Sequence, residues 1–253
     1  ITKFNMRRCY DGYEINLALH EVGLYFYTFD LGNGLFLGLG KNYSGMITDN
    51  PTYFQVSVYE TGYKAPDFLS GGIIYQIFPD RFAIDGKVKK IKGRVYHEDI
   101  TDLPYFLPDS KGKIKNVDFF GGNLKGIITK LPYLSSLGVT TIYLNPIFKA
   151  FSNHRYDTGD YFMIDENLGT EEDLVKLIES AKKHGISIIL DGVFNHTGRD
   201  FFAFQDIKQN RENSRYKDWY CNVNFWGNTE YNDGFSYENW GGYNLLVKLN
   251  QHN

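Results

Sequence analysis

Ile186-Ser187-Ile188-Ile189-Leu190-Asp191-Gly192-Val193-Phe194-Asn195-His196 is the stretch that decides the fold. Its run Ile186–Leu190 is rich in β-branched residues with little polar alternation, which predicts a strand buried on both faces. Upstream, Glu171–His184 carries Leu174, Leu177, Ile178 and Ala181 at helical spacing. Thr170 and Asp173 form a capping-box start and Gly185 supplies the stop. The same alternation recurs toward the N-terminus: Val139–Leu144 as a strand, Leu124–Leu137 as a helix, and Ile73–Phe78 as a strand. Pro132 removes an N–H inside the Leu124–Leu137 helix, so a kink or break is expected there. The order is βαβαβ, which predicts parallel strands wrapped by helices.

Residues 1–60 have a different period. Tyr13, Ile15, Leu17 and Leu19 alternate with polar residues, as do Phe54, Val56 and Val58, and Asn33-Gly34 between Leu24–Leu31 and Leu35–Leu39 predicts a tight hairpin. This predicts part of a β-sandwich. Residues 61–72, with Gly62, Pro66 and Gly71-Gly72, read as a linker. Residues 73–196 then supply three βα units. The stretch 197–244 is aromatic, polar and glycine-rich without clear periodicity and reads as an inserted domain; 245–253 reads as the start of a return to the barrel. A complete (β/α)8 barrel has eight strands in about 250 residues. The expected fold class is therefore α/β, an incomplete (β/α)8 TIM barrel preceded by a partial β-sandwich. An exposed apolar face is expected where strands four to eight would pack.

The chain has 253 residues, a net charge of −3, 42% hydrophobic and 23% charged residues. No run of 18 apolar residues occurs and no basic cluster exceeds the short Lys87–Arg94 stretch, so neither a membrane span nor a nucleic-acid partner is indicated. Cys9 and Cys221 lack metal-ligand spacing and define no disulfide framework. The aromatic share is 17%, with 20 Tyr, 20 Phe and 3 Trp. Aromatic rings suit the C–H faces of sugars, and they are equally good strand formers. The chain begins at Ile1 without a leader, which leaves its compartment open.

In such a barrel the reacting groups stand at the C-terminal ends of strands. Asp191, Asn195 and His196 follow the third strand; they could bond sugar hydroxyls or a metal, or Asp191 could cap a turn and His196 be a satisfied loop residue. After the second strand come Asn145-Pro146-Ile147-Phe148 and Ser152-Asn153-His154-Arg155-Tyr156-Asp157-Thr158-Gly159-Asp160-Tyr161. That loop offers a ring to stack on a pyranose. The plainer interpretation is a salt-bridged loop packed around Arg155 and Asp157.

Together these segments resemble the α-amylase family of glycoside hydrolases. The resemblance extends through Ile74-Tyr75-Gln76-Ile77-Phe78-Pro79-Asp80-Arg81-Phe82, Phe119-Phe120-Gly121-Gly122-Asn123-Leu124, Leu131-Pro132-Tyr133-Leu134, Leu137-Gly138-Val139 and Lys248-Leu249-Asn250. It is nearest the neopullulanase and cyclomaltodextrinase group, whose members also carry an N-terminal β-sandwich. The resemblance implies that Tyr156 stacks on the sugar before the scissile bond and that His196 bonds that sugar's primary hydroxyl. It implies that Asp191 shapes the same subsite by pairing with an arginine on a later strand, with His154 and Trp240 in the same substrate-binding set; Gly241 stands where a second tryptophan is usual. Asn195 matches a calcium ligand of many α-amylases. A second calcium site of the subgroup is expected to be weak or absent, because Asn123 replaces its aspartate and lysines follow Phe82-Ala83-Ile84-Asp85-Gly86.

The resemblance further implies hydrolysis with retention, by a carboxylate nucleophile in a Gly-x-Arg-x-Asp segment, an acid glutamate and a third aspartate. None of these segments occurs in this sequence, and Glu98, Glu230 and Glu238 have no matching context. The expected protein is a piece of a retaining α-glucan hydrolase or transglycosylase, acting on maltodextrins, cyclodextrins or pullulan, with the catalytic carboxylates beyond Asn253 and this piece inactive alone. The alternatives are a non-catalytic α-glucan-binding fragment and, as a poorer rival, a metal-dependent barrel hydrolase using Asp191 and His196. The subgroup leans toward a cytoplasmic location and allows a dimer.

Overall fold

The computed structural model describes residues 1–110, 112, 114 and 116–253. The chain divides into two compact units, Ile1–Ala65 and Pro66–Asn253. In the first unit, Arg7–Cys9 pairs with Gly12–Glu14, Gly23–Tyr27 with Phe54–Val58, and Phe29–Gly32, Leu35–Leu39 and Gly45–Thr48 form a three-stranded sheet, all antiparallel. Asn33 (φ 53°) and Gly34 (φ 75°) make the tight turn that their sequence requires. The alternation of Ile15, Leu17 and Leu19 forms no strand; the element closes after Glu14. The apolar run Leu24–Leu31 is likewise split at Thr28, whose hydroxyl donates to the Leu37 carbonyl at 2.7 Å.

The second unit begins its regular structure with β1 (Ile73–Ile77), α1 (Leu124–Ser136) and β2 (Val139–Leu144). A hairpin of β3 (Phe148–Ala150) and β4 (Thr158–Ile164) follows, then α2 (Glu171–Lys183) and β5 (Ser187–Leu190). β1, β2 and β5 form one parallel sheet with β2 at its centre; Tyr143 is level with Gln76 on one side and Ile189 on the other. The core joins Ile77, Ile142 and Leu144 of the sheet to Ile127, Leu131 and Leu134 of α1 and to Leu177 and Ala181 of α2. Every strand end thus points the same way, and the loops after β1, β2 and β5 share one rim.

Several expectations need correction. Burial on both faces holds for β2 alone: Ile73 and Ile74 of β1 are about half exposed, because the sheet has helices against only part of its surface. In α2, Ile178 is exposed, since the buried stripe is centred on Leu177 and Ala181 and the next residue lies about 100° around the helix. α1 runs unbroken through Pro132, which faces solvent while Leu131 and Leu134 on either side are fully buried. Packing of that stripe outweighs the lost hydrogen bond.

The stretch after β5 is also more regular than its sequence suggests. β6 (His196–Thr197), α3 (Phe202–Asn210), β7 (Asn239–Trp240) and β8 (Tyr243–Lys248) enclose a second core around Phe204, Ile207, Phe235 and Val247. β8 lies between β6 and β7, with His196 opposite Lys248 and Asn239 opposite Val247. Arg199 ties the region together, donating to the Tyr237 hydroxyl at 2.7 Å, pairing with Asp233, and stacking 3.6 Å over the Tyr231 ring.

Asn123, where the subgroup has an aspartate, acts as a clamp. Its Oδ1 accepts from Gly126 N at 2.7 Å, capping α1, and from Asp85 N at 3.3 Å, while its Nδ2 donates to Asp85 O at 3.0 Å. A carboxylate could not make the last bond. Asn123→Ala is expected to lower unfolding free energy by about 1–2 kcal/mol, read as a lower urea midpoint at constant m. Asn123→Asp keeps the cap but cannot donate to Asp85 O, and should recover only part of the loss.

Candidate active site

The strand-end loops meet at Asp191, two phenols and two imidazoles. The loop between β3 and β4 is fixed from beneath by Arg155, which is fully buried and holds φ at 60°. Its Nη1 donates to Asn153 O at 2.7 Å and its Nη2 to Asp165 Oδ1 at 3.1 Å. Asp165 also receives Arg94 Nη1 at 2.8 Å and Nη2 at 2.6 Å. Burial pushes the Asp165 carboxyl upward, but the two guanidinium groups win and hold it below its ordinary value.

The pair anticipated between Arg155 and Asp157 does not form. Asp157 is fully buried and accepts from Ser152 N at 3.1 Å and from the Ser152 hydroxyl, closing the loop on itself. Lacking a close cation, its carboxyl is pushed up by burial. Asn153 anchors the other side of the loop, donating to Asp118 O at 2.9 Å and Oδ1 at 3.1 Å.

On this base stand the residues singled out in the sequence. The Tyr156 hydroxyl donates to Asp191 Oδ2 at 3.0 Å, and burial together with that bond pushes the phenol up to about 12. Tyr143 on β2, which sequence reasoning missed, faces Asp191, and that carboxylate is the main cause holding its phenol above the ordinary value. Its signal was present in the period of β2: Ile142 and Leu144 fill the core, so Tyr143 faces the other side, beside the end of β5. At the end of β1, Gln76 Nε2 donates to Asn145 Oδ1 at 2.7 Å.

His154 and His196 flank the phenol. Tyr156 N donates to His154 Nδ1 at 3.1 Å, so the neutral His154 ring carries its proton on Nε2. His196 Nε2 lies 3.1 Å from Tyr156 O, which only accepts, and His196 Nδ1 lies 3.2 Å from the Asn195 amide nitrogen, which only donates. His196 is therefore a neutral ring with both nitrogens engaged, and a sugar hydroxyl would have to take over one of these contacts. Tyr161 braces the same turn from β4, donating to Val193 O at 2.5 Å and His196 O at 3.1 Å. Trp240, half exposed on β7, sets its ring 5.9 Å from that of His196.

Among the described residues no group of three or more His, Cys, Asp or Glu side chains gathers that could hold a metal. Also among the described residues, no helix is long and apolar enough to cross a membrane.

Burial, then Arg155 and His196, lower His154 from its ordinary 6.5 to about 4. The folded chain thus resists a proton that the unfolded chain accepts. The associated stability is present above pH 6.5 and is lost as pH falls toward 4, on the order of 2–3 kcal/mol. Urea midpoints measured across that window should fall steeply for the native protein. His154→Gln should flatten the profile, leaving the shallower slope due to His196, which burial also lowers.

Comparisons with known proteins identify the family and the fold. The model of the α-amylase catalytic domain matches residues 76–245. An amylopullulanase of Thermoanaerobacterium saccharolyticum is 39% identical over 94% of this chain and 20% of its own length. Neopullulanase 2 of Thermoactinomyces vulgaris is 43% identical over 62% of this chain and 25% of its own length. The chain thus spans about a fifth to a quarter of such relatives. Among solved structures, the cyclic α-maltosyl-(1→6)-maltose hydrolase of Arthrobacter globiformis, bound to that sugar, superposes with TM-score 0.62 at 37% identity over 76% of this chain and 40% of that one. The type III pullulan hydrolase of Thermococcus kodakarensis gives TM-score 0.62 at 31% identity over 87% of this chain and 40% of that one. A family match across residues 76–245, with relatives and folds of this kind, places the chain in the α-amylase family of glycoside hydrolases.

Proposed function

We propose that the whole protein is a retaining α-glucan hydrolase or transglycosylase acting on α-1,4, and by extension α-1,6, bonds of maltodextrins, cyclodextrins or pullulan. The observation that carries this is Asp191, held by the hydroxyl of Tyr156 at the rim of a parallel sheet, with Tyr143 beside it and His154, His196 and Trp240 around the site. A ring beside a carboxylate and neutral imidazoles matches a pyranose, whose C–H face stacks while its hydroxyls are bonded. On this proposal β1, β2 and β5 are the first three strands of an eight-stranded barrel. Residues 197–244 are the domain inserted after the third, and residues 1–60 are part of a β-sandwich.

The sugar binds as an intact glycoside and acquires oxocarbenium character only in the transition state, as the bond to the leaving oxygen breaks. Tyr156, pushed up to about 12, stays protonated and orients Asp191 rather than taking the proton itself. The nucleophile, the acid and the third carboxylate come from segments other than these residues, because the sequence holds no Gly-x-Arg-x-Asp segment. Glu238 is bound to Asn222 and Lys248, and Glu230 accepts from Asn244, so neither stands ready as an acid.

A second reading follows from that same absence of reacting carboxylates: the 253 residues by themselves bind α-glucans without cleaving them. Calorimetry with maltooligosaccharides should show binding by this chain, and hydrolysis by it alone would refute the reading.

Products of the whole protein should emerge with the α configuration retained, by polarimetry or NMR; inverted products would overturn the proposed mechanism. Tyr156→Ala should lower kcat/KM by at least about 100-fold, the scale of losing a positioned contact at the reacting sugar.

A further inference from the structure

The region between β5 and β8 holds a second polar recess that the Tyr156 site does not use. Val223 and Phe225 pack against the core around Phe204 and Phe235. Burial alternates along this segment, leaving Asn222, Asn224 and Trp226 exposed. Asn222 and Asn224 line a cleft of about 560 Å³, walled otherwise by Val223, Ser236, Tyr237 and Glu238. Trp226, on the turn that follows Asn224 beside this cleft, is 97% exposed.

A fixed backbone holds the indole there. Asn224 and Ser236 exchange backbone hydrogen bonds at 2.8 and 2.9 Å. The Asn224 side chain accepts from Trp226 N at 3.0 Å, and Gly227 N closes the turn on Asn224 O at 3.1 Å. A Cβ at Gly227 would fall 2.1 Å from Ser236 Oγ, so the turn carrying Trp226 lies flush against the far wall of the cleft. That wall is chemically ordered as well: Asn222 Nδ2 donates to Glu238 Oε2 at 2.7 Å, and Lys248 pairs with the other carboxylate oxygen.

An indole held in water beside amides, a hydroxyl and a carboxylate has the make-up of a pyranose site, with a flat apolar platform and convergent polar groups. The wall Ser236–Glu238 continues directly into β7, where Trp240 faces His196. We propose that this cleft is a second α-glucan-binding site, with Trp226 as its stacking platform. It takes a further stretch of the same glucan whose scissile region lies at Tyr156. The proposal rests on the α-glucan reading above.

The test uses the whole protein, its Trp226→Ala, Trp226→Phe and Tyr156→Ala variants, and two probes, maltotriose and soluble starch. Trp226→Ala should weaken starch binding in affinity electrophoresis about tenfold and raise KM for starch similarly. It should leave kcat/KM for maltotriose unchanged, and Trp226→Phe should recover most of the loss. Tyr156→Ala should impair both substrates. Starch affinity equal to the native protein in Trp226→Ala overturns the second site while the α-glucan function stands. A change of oligomeric state without a change in starch affinity overturns it too, and assigns the ring to a protein contact. A native protein that neither binds nor cleaves either glucan overturns both proposals.

Discussion

Arg155 is a guanidinium fully withdrawn from water, and its pairing with Asp165 is the constraint on which the strand-end loop depends. Taking such a charge from water costs several kcal/mol, offset only when its donors are matched. Here Asp165 and the Asn153 carbonyl take the two terminal nitrogens, the buried Nε is left without a partner, and the guanidinium packs 5.7 Å from the Phe119 ring centroid. Because Asn153 is also bound to Asp118, the residues immediately before Tyr156 have no freedom to swing. The left-handed φ of Arg155 turns the chain so that His154 and Tyr156 emerge on the rim while the residue between them points inward.

One buried carboxylate thus serves two cations, and its neighbours register the imbalance. Asp165 is stabilised as an anion between Arg94 and Arg155. Asp80, also buried, is pushed upward by desolvation despite Arg155, Arg81 and the amides of Phe120 and Gly121. Asp157, sealed in by Ser152, is pushed upward as well. The loop is therefore held by a graded set of carboxylates beneath a site whose own imidazoles are neutral. Around Asp191 the imidazoles are neutral and hydrogen-bonded, so no fixed cation there must be desolvated when an uncharged ligand binds.

Much of the frame was legible because it rests on short-range rules. The capping box at Thr170 and Asp173, the Asn33-Gly34 turn and the bounds of β2 follow from local sterics and hydrogen bonding. What failed were inferences that needed to know a neighbour. Arg155 next-but-one to Asp157 reads as a pair, yet its partner is ten residues away, because the β3–β4 hairpin carries Asp165 back beneath the loop. α3 was hidden in an aromatic stretch because its apolar positions are satisfied by Phe235, Tyr237 and Val247 far along the chain.

The sequence by itself determined which chemical groups stand at strand ends, since period and caps fix where each strand stops and which side chains follow it. That placed Asp191, His196 and the loop of His154 and Tyr156 at strand ends, while the likeness to the α-amylase family singled out these residues and Trp240. Only the tertiary structure decided how those groups are engaged. Tyr143 joined Asp191 because parallel pairing sets the end of β2 beside that of β5, and His196 spends both ring nitrogens because the loops close on each other. Local rules act within a few residues and can be read in one dimension, whereas hydrogen-bond partners are chosen by distance in three.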